Sequence, residues 1–526
     1  MSIEAGIHPN AGGGGGRKPR LIPVILTLIL IACSTIMGCN GHNNPVDATG
    51  SLDIGRSLQG FSSLQSLGSA YSMDCASSIW ANPVPDPETY IGDIAPSGSS
   101  AYAKAIVWQS NELGSEVTIL VYDAEDDLEY WDSFSAEAGP GSPLCKHPVV
   151  EITYSSEGED ETDGTLRIHV VWSEYTDYGS PAGNNFDLYY RYLEFSVEDG
   201  DVDWSPDEDE ICWIECSDDE LDDIQPDICV LHSVNDVYIV YLEDNPSSRD
   251  NIRCACHEYD DMDDPDDWGG GSMTVSSSLN DEKWAPSIDA GVFSGYWSPI
   301  GSVAFVWCEL VDDEDYDDWQ VYYGEYHEVY GLGDTQITGI SCAENQINYM
   351  PKIDIAPQSG YFAEAIIVYD SAKWDDEEEE FYDWRVRMAV TPYHDDDDDH
   401  IALNVYGWSR ASDVCCYQPE EGEEWDKEGW FALAYHRSEY DDDWAVRAHS
   451  GYFIVDYEEP GSFTIVDYYD YEFNGSDAQW SFDDPFRIPC IALSNPDGYI
   501  REKQLYVGYI EDYYHSSYLK YGTIYN

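Results

Sequence analysis

One three-part pattern recurs seven times along the 526-residue chain. Each copy has a short segment with proline or a small residue near its start, a dense apolar segment that closes on an aromatic ring, and a third apolar segment after an acidic loop. Successive closing aromatics lie 62 to 74 residues apart: Trp108, Trp172, Tyr241, Trp307, Tyr369, Tyr435 and Tyr509. Repetition at so even a spacing indicates one structural unit used seven times.

The second segment of each copy, such as 169–172, is apolar at consecutive positions. Both faces of such a strand must therefore be buried, and the β-branched and aromatic composition of these short runs favours strands over helices. Sheets that cover one another in a closed repeat are typical of a propeller. The sequence therefore predicts an all-β fold, a seven-bladed β-propeller with four-stranded antiparallel blades, over residues 85–526. The first segments are predicted as strands at 90–94, 148–152, 226–230, 286–290, 351–355, 413–416 and 489–493.

The last copy ends shortly after its third segment, so it has no room for a fourth strand. We expect the N-terminal side of the chain to supply that strand, near residues 77–80, and so to close the ring of blades.

The N-terminal residues have the layout of an export signal. Arg17, Lys18 and Arg20 precede an apolar run over 21–31, which is shorter than the roughly 18 to 20 residues of a membrane span. We therefore predict a signal or leader segment over residues 1–38.

Ile36-Met37-Gly38-Cys39 resembles the lipobox of bacterial lipoproteins. The resemblance implies lipid attachment at Cys39 and an extracytoplasmic, membrane-anchored location, with the lipid as the only contact to the membrane. A flexible tether is expected over residues 39–84, because glycine, asparagine and serine follow at once. Cys33 is a second candidate for the lipid, and an ordinary signal peptide is the other alternative.

The chain is strongly acidic, with 105 Asp and Glu against 23 Lys and Arg and a formal net charge of −82. Such a field repels phosphate backbones and anionic headgroups, so nucleic acid and anionic lipid are poor partners. Dense carboxylate runs occur at 312–318, 375–380, 395–399 and 441–443. Calcium is the candidate cofactor for them, since it takes six to eight oxygen ligands. The alternative is a solvated, self-repelling surface.

Twelve of the 14 cysteines follow Cys39, an even number that is compatible with disulfides in an exported protein. Their pairing cannot be derived from spacing. Three close pairs are candidates for local bridges: Cys212 with Cys216, Cys254 with Cys256, and Cys415 with Cys416.

The repeat rhythm resembles that of sialidase/BNR-like propellers, over residues 85–526. Arg487-Ile488-Pro489 matches the Arg-Ile-Pro motif of that family, but it lies in the last copy rather than the first, and no copy contains an Asp-box. The repeated arginines Arg253, Arg387 and Arg447 fall at strand positions, which counts against an enzyme. Since the sequence also has no nucleophile elbow, phosphate-binding glycine loop or Cys/His pairing, we predict no catalytic residue and no cofactor-binding residue.

We expect a binding or structural module, a monomer, for an unidentified protein or glycan ligand. An atypical glycan-processing enzyme of the sialidase-like kind is the alternative.

Overall fold

The structure, a computed structural model, describes 29 strands and the residues next to them. The described ranges are 65–69, 73–77, 103–109, 116–123, 127–136, 145–156, 163–176, 185–199, 201–206, 211–214, 221–231, 236–245, 249–257, 273–276, 282–294, 299–312, 317–327, 338–339, 346–355, 365–375, 380–390, 401–402, 408–417, 426–438, 444–456, 462–472, 489–494, 504–513 and 516–525. Every regular element in these ranges is a β-strand, which confirms the all-β class. Within the same ranges, no helix has the length and apolar character needed to cross a membrane.

The strands form seven antiparallel sheets in the described part of the chain, numbered here in chain order. Sheet 1 contains β2 (Met73–Ser77), β3 (Lys104–Gln109), β4 (Val117–Tyr122) and β5 (Leu128–Phe134). Sheet 2 contains β6 (Cys145–Ser156), β7 (Gly164–Thr176), β8 (Asn185–Glu198), β9 (Asp201–Val202) and β10 (Cys212–Trp213). Sheet 3 contains β11 (Asp222–Leu231), β12 (Asp236–Asp244), β13 (Asn251–His257) and β14 (Met273–Thr274). Sheet 4 contains β15 (Lys283–Ser294), β16 (Pro299–Asp312), β17 (Asp317–His327) and β18 (Thr338–Gly339).

The remaining sheets follow the same order. Sheet 5 contains β19 (Gln346–Ile355), β20 (Ala365–Asp375), β21 (Glu380–Val390) and β22 (Ile401–Ala402). Sheet 6 contains β23 (Trp408–Tyr417), β24 (Asp426–Ser438), β25 (Trp444–Asp456) and β26 (Ser462–Glu472). Sheet 7 contains β27 (Cys490–Ser494), β28 (Gln504–Tyr513), β29 (Ser516–Tyr525) and β1 (Gln65–Ser69).

The second and third segments of all seven copies lie in strands, as predicted, and so do six of the seven first segments. The exception is 90–94, which lies outside the described residues. The first strand of sheet 1 is β2 instead, which pairs with β3. The sheets therefore begin before residue 85, the boundary predicted from the sequence.

The fourth strand of sheet 7 comes from the N-terminal side, because β1 pairs antiparallel with β29. The prediction that the N-terminal side supplies this strand is confirmed, but the predicted position of the strand was wrong. The predicted region, 77–80, begins at the end of β2, whereas β1 lies at 65–69. β1 has the sequence Gln-Ser-Leu-Gly-Ser and carries almost no apolar signal, so its pairing depends on the open edge of β29 rather than on its own pattern.

The second strands form the core of the sheets. All six residues of β3 are buried, and Ile239, Val306 and Ile367 in the corresponding strands have no exposed surface. Their consecutive apolar residues pack on both sides, where each sheet meets its neighbours. This burial is the physical reason why the second segments lack the alternation of a half-exposed strand.

Two of the three closing tryptophans stack on a tyrosine of the third strand, whereas Trp108 lies opposite Thr118. Trp172 lies opposite Tyr189 and Trp307 lies opposite Tyr322, and each pair stacks with ring centroids 6.0 Å apart. Trp172 also donates its indole N–H to Glu174 over 2.9 Å. Residue pairs across strands thus hold these rings in one orientation.

Three of the four closing tyrosines lie opposite an arginine, and the fourth, Tyr509, lies opposite Lys520. The opposed pairs are Tyr241 with Arg253, Tyr369 with Arg387, and Tyr435 with Arg447. The arginines that recur in the third segments are therefore partly buried members of cross-strand pairs. Their recurrence has a packing explanation and does not itself indicate a substrate site.

The first strands connect the sheets to one another. β2 contacts β6, β6 contacts β11, and the series continues through β15, β19, β23 and β27. β27 in turn contacts β2, so the sequence of contacts returns to its starting point. These seven strands therefore share a common region of the molecule.

A bulge with a left-handed residue precedes the proline in four of the first strands. The four residues, with their φ angles, are His147 (52°), Gln225 (55°), Ala285 (48°) and Met350 (50°). The pairing register shifts at each of these positions. A bulge changes the direction in which the following side chains point. The repeated proline therefore marks the position at which the side chains of these first strands change direction.

Candidate functional site

Seven ionisable side chains from six different first strands meet in one region. We call this set the first-strand cluster, and its members are Asp74, Glu151, Asp227, Asp289, Lys352, Asp354 and Asp413. All seven side chains are partly exposed, whereas the intervening residues Val150, Ile228, Ile288, Ile353 and Val414 are buried. The alternation shows that each first strand turns its apolar side chains into the sheet interior and its charged side chains away from it.

Three aspartates of the cluster each bind the next sheet through a backbone amide. Asp74 accepts a hydrogen bond from the Val150 N–H over 2.9 Å, and Asp227 accepts one from the Ile288 N–H over 3.2 Å. Asp413 accepts one from the Ile491 N–H over 2.9 Å. Since a carboxylate is a strong acceptor, each of these bonds fixes the register between neighbouring first strands.

Two further aspartates make the same kind of hydrogen bond from a position two residues further along the first strand. Asp289 accepts a hydrogen bond from the Ile355 N–H, and Asp354 accepts one from the Cys416 N–H. The cluster therefore has two rows. The first row contains Asp74, Asp227, Lys352 and Asp413, and the second contains Glu151, Asp289 and Asp354.

Lys352 is the one cation of the first-strand cluster. Its ammonium nitrogen lies 3.5 Å from Asp227 Oδ2, so the side chain reaches from sheet 5 past sheet 4 to sheet 3. The lysine side chain is 27% exposed and that of Asp227 is 14% exposed. Burial opposes the charge of this lysine, but Asp227, Asp413 and Asp74 outweigh it and raise the pKa of Lys352 above its ordinary value. The ammonium group is therefore paired with Asp227, and the charges of Asp413 and Asp74 from two further sheets favour its protonated form.

Several carboxyl groups of the cluster titrate near neutral pH. Burial, reinforced by the charge of Asp413, raises the pKa of Asp74 to about 7. Burial also raises the pKa values of Asp413 and Asp354 to about 6. In the second row, burial and the neighbouring Asp289 raise the pKa of Glu151 well above its ordinary value. The charge of the region therefore changes across the physiological pH range.

The cysteines beside the cluster are protonated thiols rather than nucleophiles. Burial, with the charges of nearby carboxylates, raises the pKa values of Cys229 and Cys415 well above the usual range. A thiol with a raised pKa is a poor nucleophile and a poor metal ligand. No disulfide joins two of the cysteines that the structure describes, including Cys254 with Cys256 and Cys415 with Cys416. The other predicted pair, Cys212 with Cys216, extends beyond the described residues.

The described residues contain no candidate calcium site. No group of three or more His, Cys, Asp or Glu residues in these ranges has the geometry to hold a metal ion. The runs at 395–399 and 441–443 lie outside the described residues, and the side chains at 375–380 are not described. Calcium binding by the acidic runs stays a prediction.

The residues singled out from the sequence do not coincide with the first-strand cluster. Cys39, Cys33 and Arg487 lie outside the described residues. The cluster itself was missed, although a carboxylate inside an otherwise apolar strand was a readable signal. Residues such as Asp289 and Asp354 recur in the same slot of successive copies, and a buried strand has no packing reason to place a charge there.

No family model matches the chain, and no curated protein matches it. Solved structures with some likeness include a protein of unknown function from Dyadobacter fermentans, at 8% identity and a TM-score of 0.36, covering 73% of this chain and 95% of that one. A Hadza microbial sialidase, Hz136, has 9% identity and a TM-score of 0.32, with 88% and 91% covered. An apocarotenoid oxygenase from Synechocystis has 8% identity and a TM-score of 0.32, with 78% and 92% covered. Likenesses this weak carry no inference about the site.

Proposed function

We propose that the seven sheets are the blades of a seven-bladed β-propeller, and that the protein is a binding module whose ligand site is the space between the first strands. The closed series of contacts among β2, β6, β11, β15, β19, β23 and β27 supports the propeller. Propellers have a central channel lined by their innermost strands. The first-strand cluster would then line this channel.

The observation that carries the proposed ligand class is the charge of the cluster. Six carboxyl groups and one ammonium group face a region that solvent reaches, and the carboxyl groups with pKa values of about 6 to 7 become charged as the pH rises through neutrality. The whole chain carries a formal net charge of −82. A site lined by one sign of charge concentrates ligands of the opposite sign. The ligand that fits this site best is a cation.

The sialidase-like alternative has less support. A sialidase site needs cations for a substrate carboxylate, whereas the described cluster presents carboxylates. The arginines Arg253, Arg387 and Arg447 lie opposite the closing tyrosines on third strands. We therefore favour a binding role over an enzymatic one.

Calorimetric titration of the full-length protein with spermidine tests the ligand class. We expect saturable binding that weakens as NaCl is added, because ion pairs at a partly exposed site are screened. Asp227→Asn should weaken binding by about tenfold, since it removes one charge-assisted contact. Glu129→Gln, which removes an exposed carboxylate on β5, is the matched control and should change binding by less than about twofold.

Two outcomes contradict the proposed ligand class. One is the absence of saturable spermidine binding at low salt. The other is an equal loss in the Asp227 and Glu129 variants, which would attribute binding to the general surface charge. Sialic acid in a parallel titration serves as the anionic comparison, and its binding in place of spermidine would revive the enzymatic alternative.

The cellular location is part of the proposal. We propose that the protein is exported and lipid-anchored at Cys39, on the evidence of the basic cluster, apolar run and lipobox-like sequence. Cys39→Ala should move the protein from the membrane fraction to the soluble fraction, and Cys33→Ala should not. Mass spectrometry of the N-terminal peptide should find the diacylglyceryl mass on Cys39, and an unmodified peptide from the membrane fraction would refute the anchor.

A further inference from the structure

The edge strand of sheet 1, β5, combines an exposed apolar surface with an open backbone edge. We propose that β5 is a docking edge for an extended, basic peptide segment of another protein, which adds to sheet 1 as a further strand. β5 and the first strand β2 lie at opposite edges of this sheet, so the docking edge is separate from the first-strand cluster.

The two most exposed large apolar side chains among the described residues both lie on β5. Leu128 is 53% exposed and Trp131 is 63% exposed. Each lies opposite a buried residue of β4, since Leu128 pairs with Tyr122 and Trp131 pairs with Leu120. Residues paired across two strands lie on the same face of a sheet. The two exposed side chains therefore extend an apolar surface whose inner part is already buried.

A β-bulge brings these two side chains to one face. Leu128 and Trp131 are three residues apart, so in a regular strand they would point to opposite faces. The register between β4 and β5 shifts once between them, where β5 has one extra residue. The other face of β5 packs on sheet 2, where the Phe134 ring lies 5.2 Å from that of Trp172. Leu128 and Trp131 are thus neighbours on the face that is turned away from sheet 2.

The backbone edge of β5 is open in the described part of the chain. β5 pairs with β4 on one side, and no described strand pairs with its other side. Every second residue of such a strand points its N–H and C=O groups away from the sheet. β5 has seven residues, whereas the edge strands β14, β18 and β22 have two residues each. Only the longer edge offers enough backbone groups to pair with an extended peptide.

Charge determines the kind of occupant. The loop before β5 has the sequence Asp-Ala-Glu-Asp-Asp over residues 123–127, and the whole chain has a formal net charge of −82. A second copy would bring the same negative charge to this edge, and the repulsion opposes self-pairing. A peptide with lysine or arginine side chains is attracted by the same field. A basic strand with an apolar side chain to cover Trp131 therefore complements the surface.

A synthetic peptide as long as β5 tests this inference. The end-blocked heptapeptide Lys-Thr-Lys-Val-Lys-Thr-Lys is titrated calorimetrically into the full-length protein. We expect saturable binding, with slower hydrogen exchange of the amides of residues 128–134 in the complex. Trp131→Ala should weaken binding by about tenfold, since aromatic anchors carry much of the energy of such contacts. The matched control is Trp213→Ala, which removes a 41% exposed tryptophan of β10 and should change binding by less than about twofold.

Two altered peptides separate strand pairing from attraction by charge alone. The same heptapeptide N-methylated at every residue keeps its charge but has no backbone N–H donor, so it should not slow the exchange of residues 128–134. Glu-Thr-Glu-Val-Glu-Thr-Glu has the opposite charge and should not bind. If Trp131→Ala does not fold, the exchange of residues 128–134 in the unaltered protein with these peptides decides the question.

Three results would overturn the docking edge. Equal weakening of binding by Trp131→Ala and Trp213→Ala would attribute the binding to the general surface charge. Equal slowing of exchange at residues 128–134 by the methylated peptide would exclude strand pairing. A dimer of the protein alone in sedimentation, dissociated by Trp131→Ala, would assign the edge to a second copy instead.

Discussion

Lowering the pH from 8 to 5 should raise the melting temperature of this protein, by on the order of 5 °C. Asp74 has a pKa of about 7 in the folded chain, and Asp413 and Asp354 have pKa values of about 6, against 3.8 in the unfolded chain. Between these values the folded state holds protons that the unfolded state has released, so stability falls as pH rises. The gain on acidification is complete below about pH 4 for these groups and is lost by about pH 7. Thermal denaturation followed by circular dichroism at half-unit pH steps measures it.

Asp74→Asn identifies the source of this pH dependence. Asparagine keeps a carbonyl oxygen that can accept the Val150 N–H, but it carries no charge to repel Asp413. The variant should therefore melt higher than the unaltered protein at pH 8 and equally at pH 5. Glu129→Gln, on the exposed face of β5, removes the same charge outside the cluster and should leave the pH profile unchanged. A melting temperature that falls as the pH is lowered would contradict this account. An equal change in the pH dependence of both variants would contradict it as well.

Removal of β1 should destabilise the protein by more than any single substitution described above. A deletion of residues 58–69 takes away the strand that pairs with β29 and leaves an open edge on sheet 7. We expect the melting temperature to fall by about 10 °C or more, since an entire strand pairing is lost. Differential scanning calorimetry of the purified protein provides the measurement.

A matched deletion separates this effect from a general effect of shortening the chain. Removal of residues 40–51, also twelve residues but before β1, should leave the melting temperature within about 2 °C of its original value. A synthetic peptide of residues 60–72 should restore part of the loss when it is added to the shortened protein, because a strand can be supplied in trans to an open edge. An unchanged melting temperature after deletion of 58–69 would show that sheet 7 does not depend on β1.

The strands with a strong local signal were predictable. Second segments such as 304–307 are apolar at successive positions, and that pattern has one physical explanation, burial on both faces. Three of the fourth strands carry no such signal. β14, β18 and β22 contain two residues each, too few for any periodicity, and their pairing is imposed by the third strand beside them.

The candidate site was less predictable, since it is made from residues that are far apart in the sequence. Asp74 and Asp413 belong to opposite halves of the chain, and neither local sequence indicates that the two residues interact. Only the order of contacts among the first strands brings them to the same region. The recurring slot could have revealed that these positions face a common space, but not that Lys352 of sheet 5 would pair with Asp227 of sheet 3.

The pairing of β1 with β29 also has a kinetic consequence. These two strands lie at opposite ends of the described chain, so their pairing has the largest sequence separation among the described strand pairs. Sheets 1 to 6 each form from consecutive strands and can assemble as the polypeptide emerges, but the seventh must wait for both of its distant parts. We therefore expect the pairing of β1 with β29 to be the final and slowest phase of refolding. The intermediate before this step should have an exposed strand edge on sheet 7.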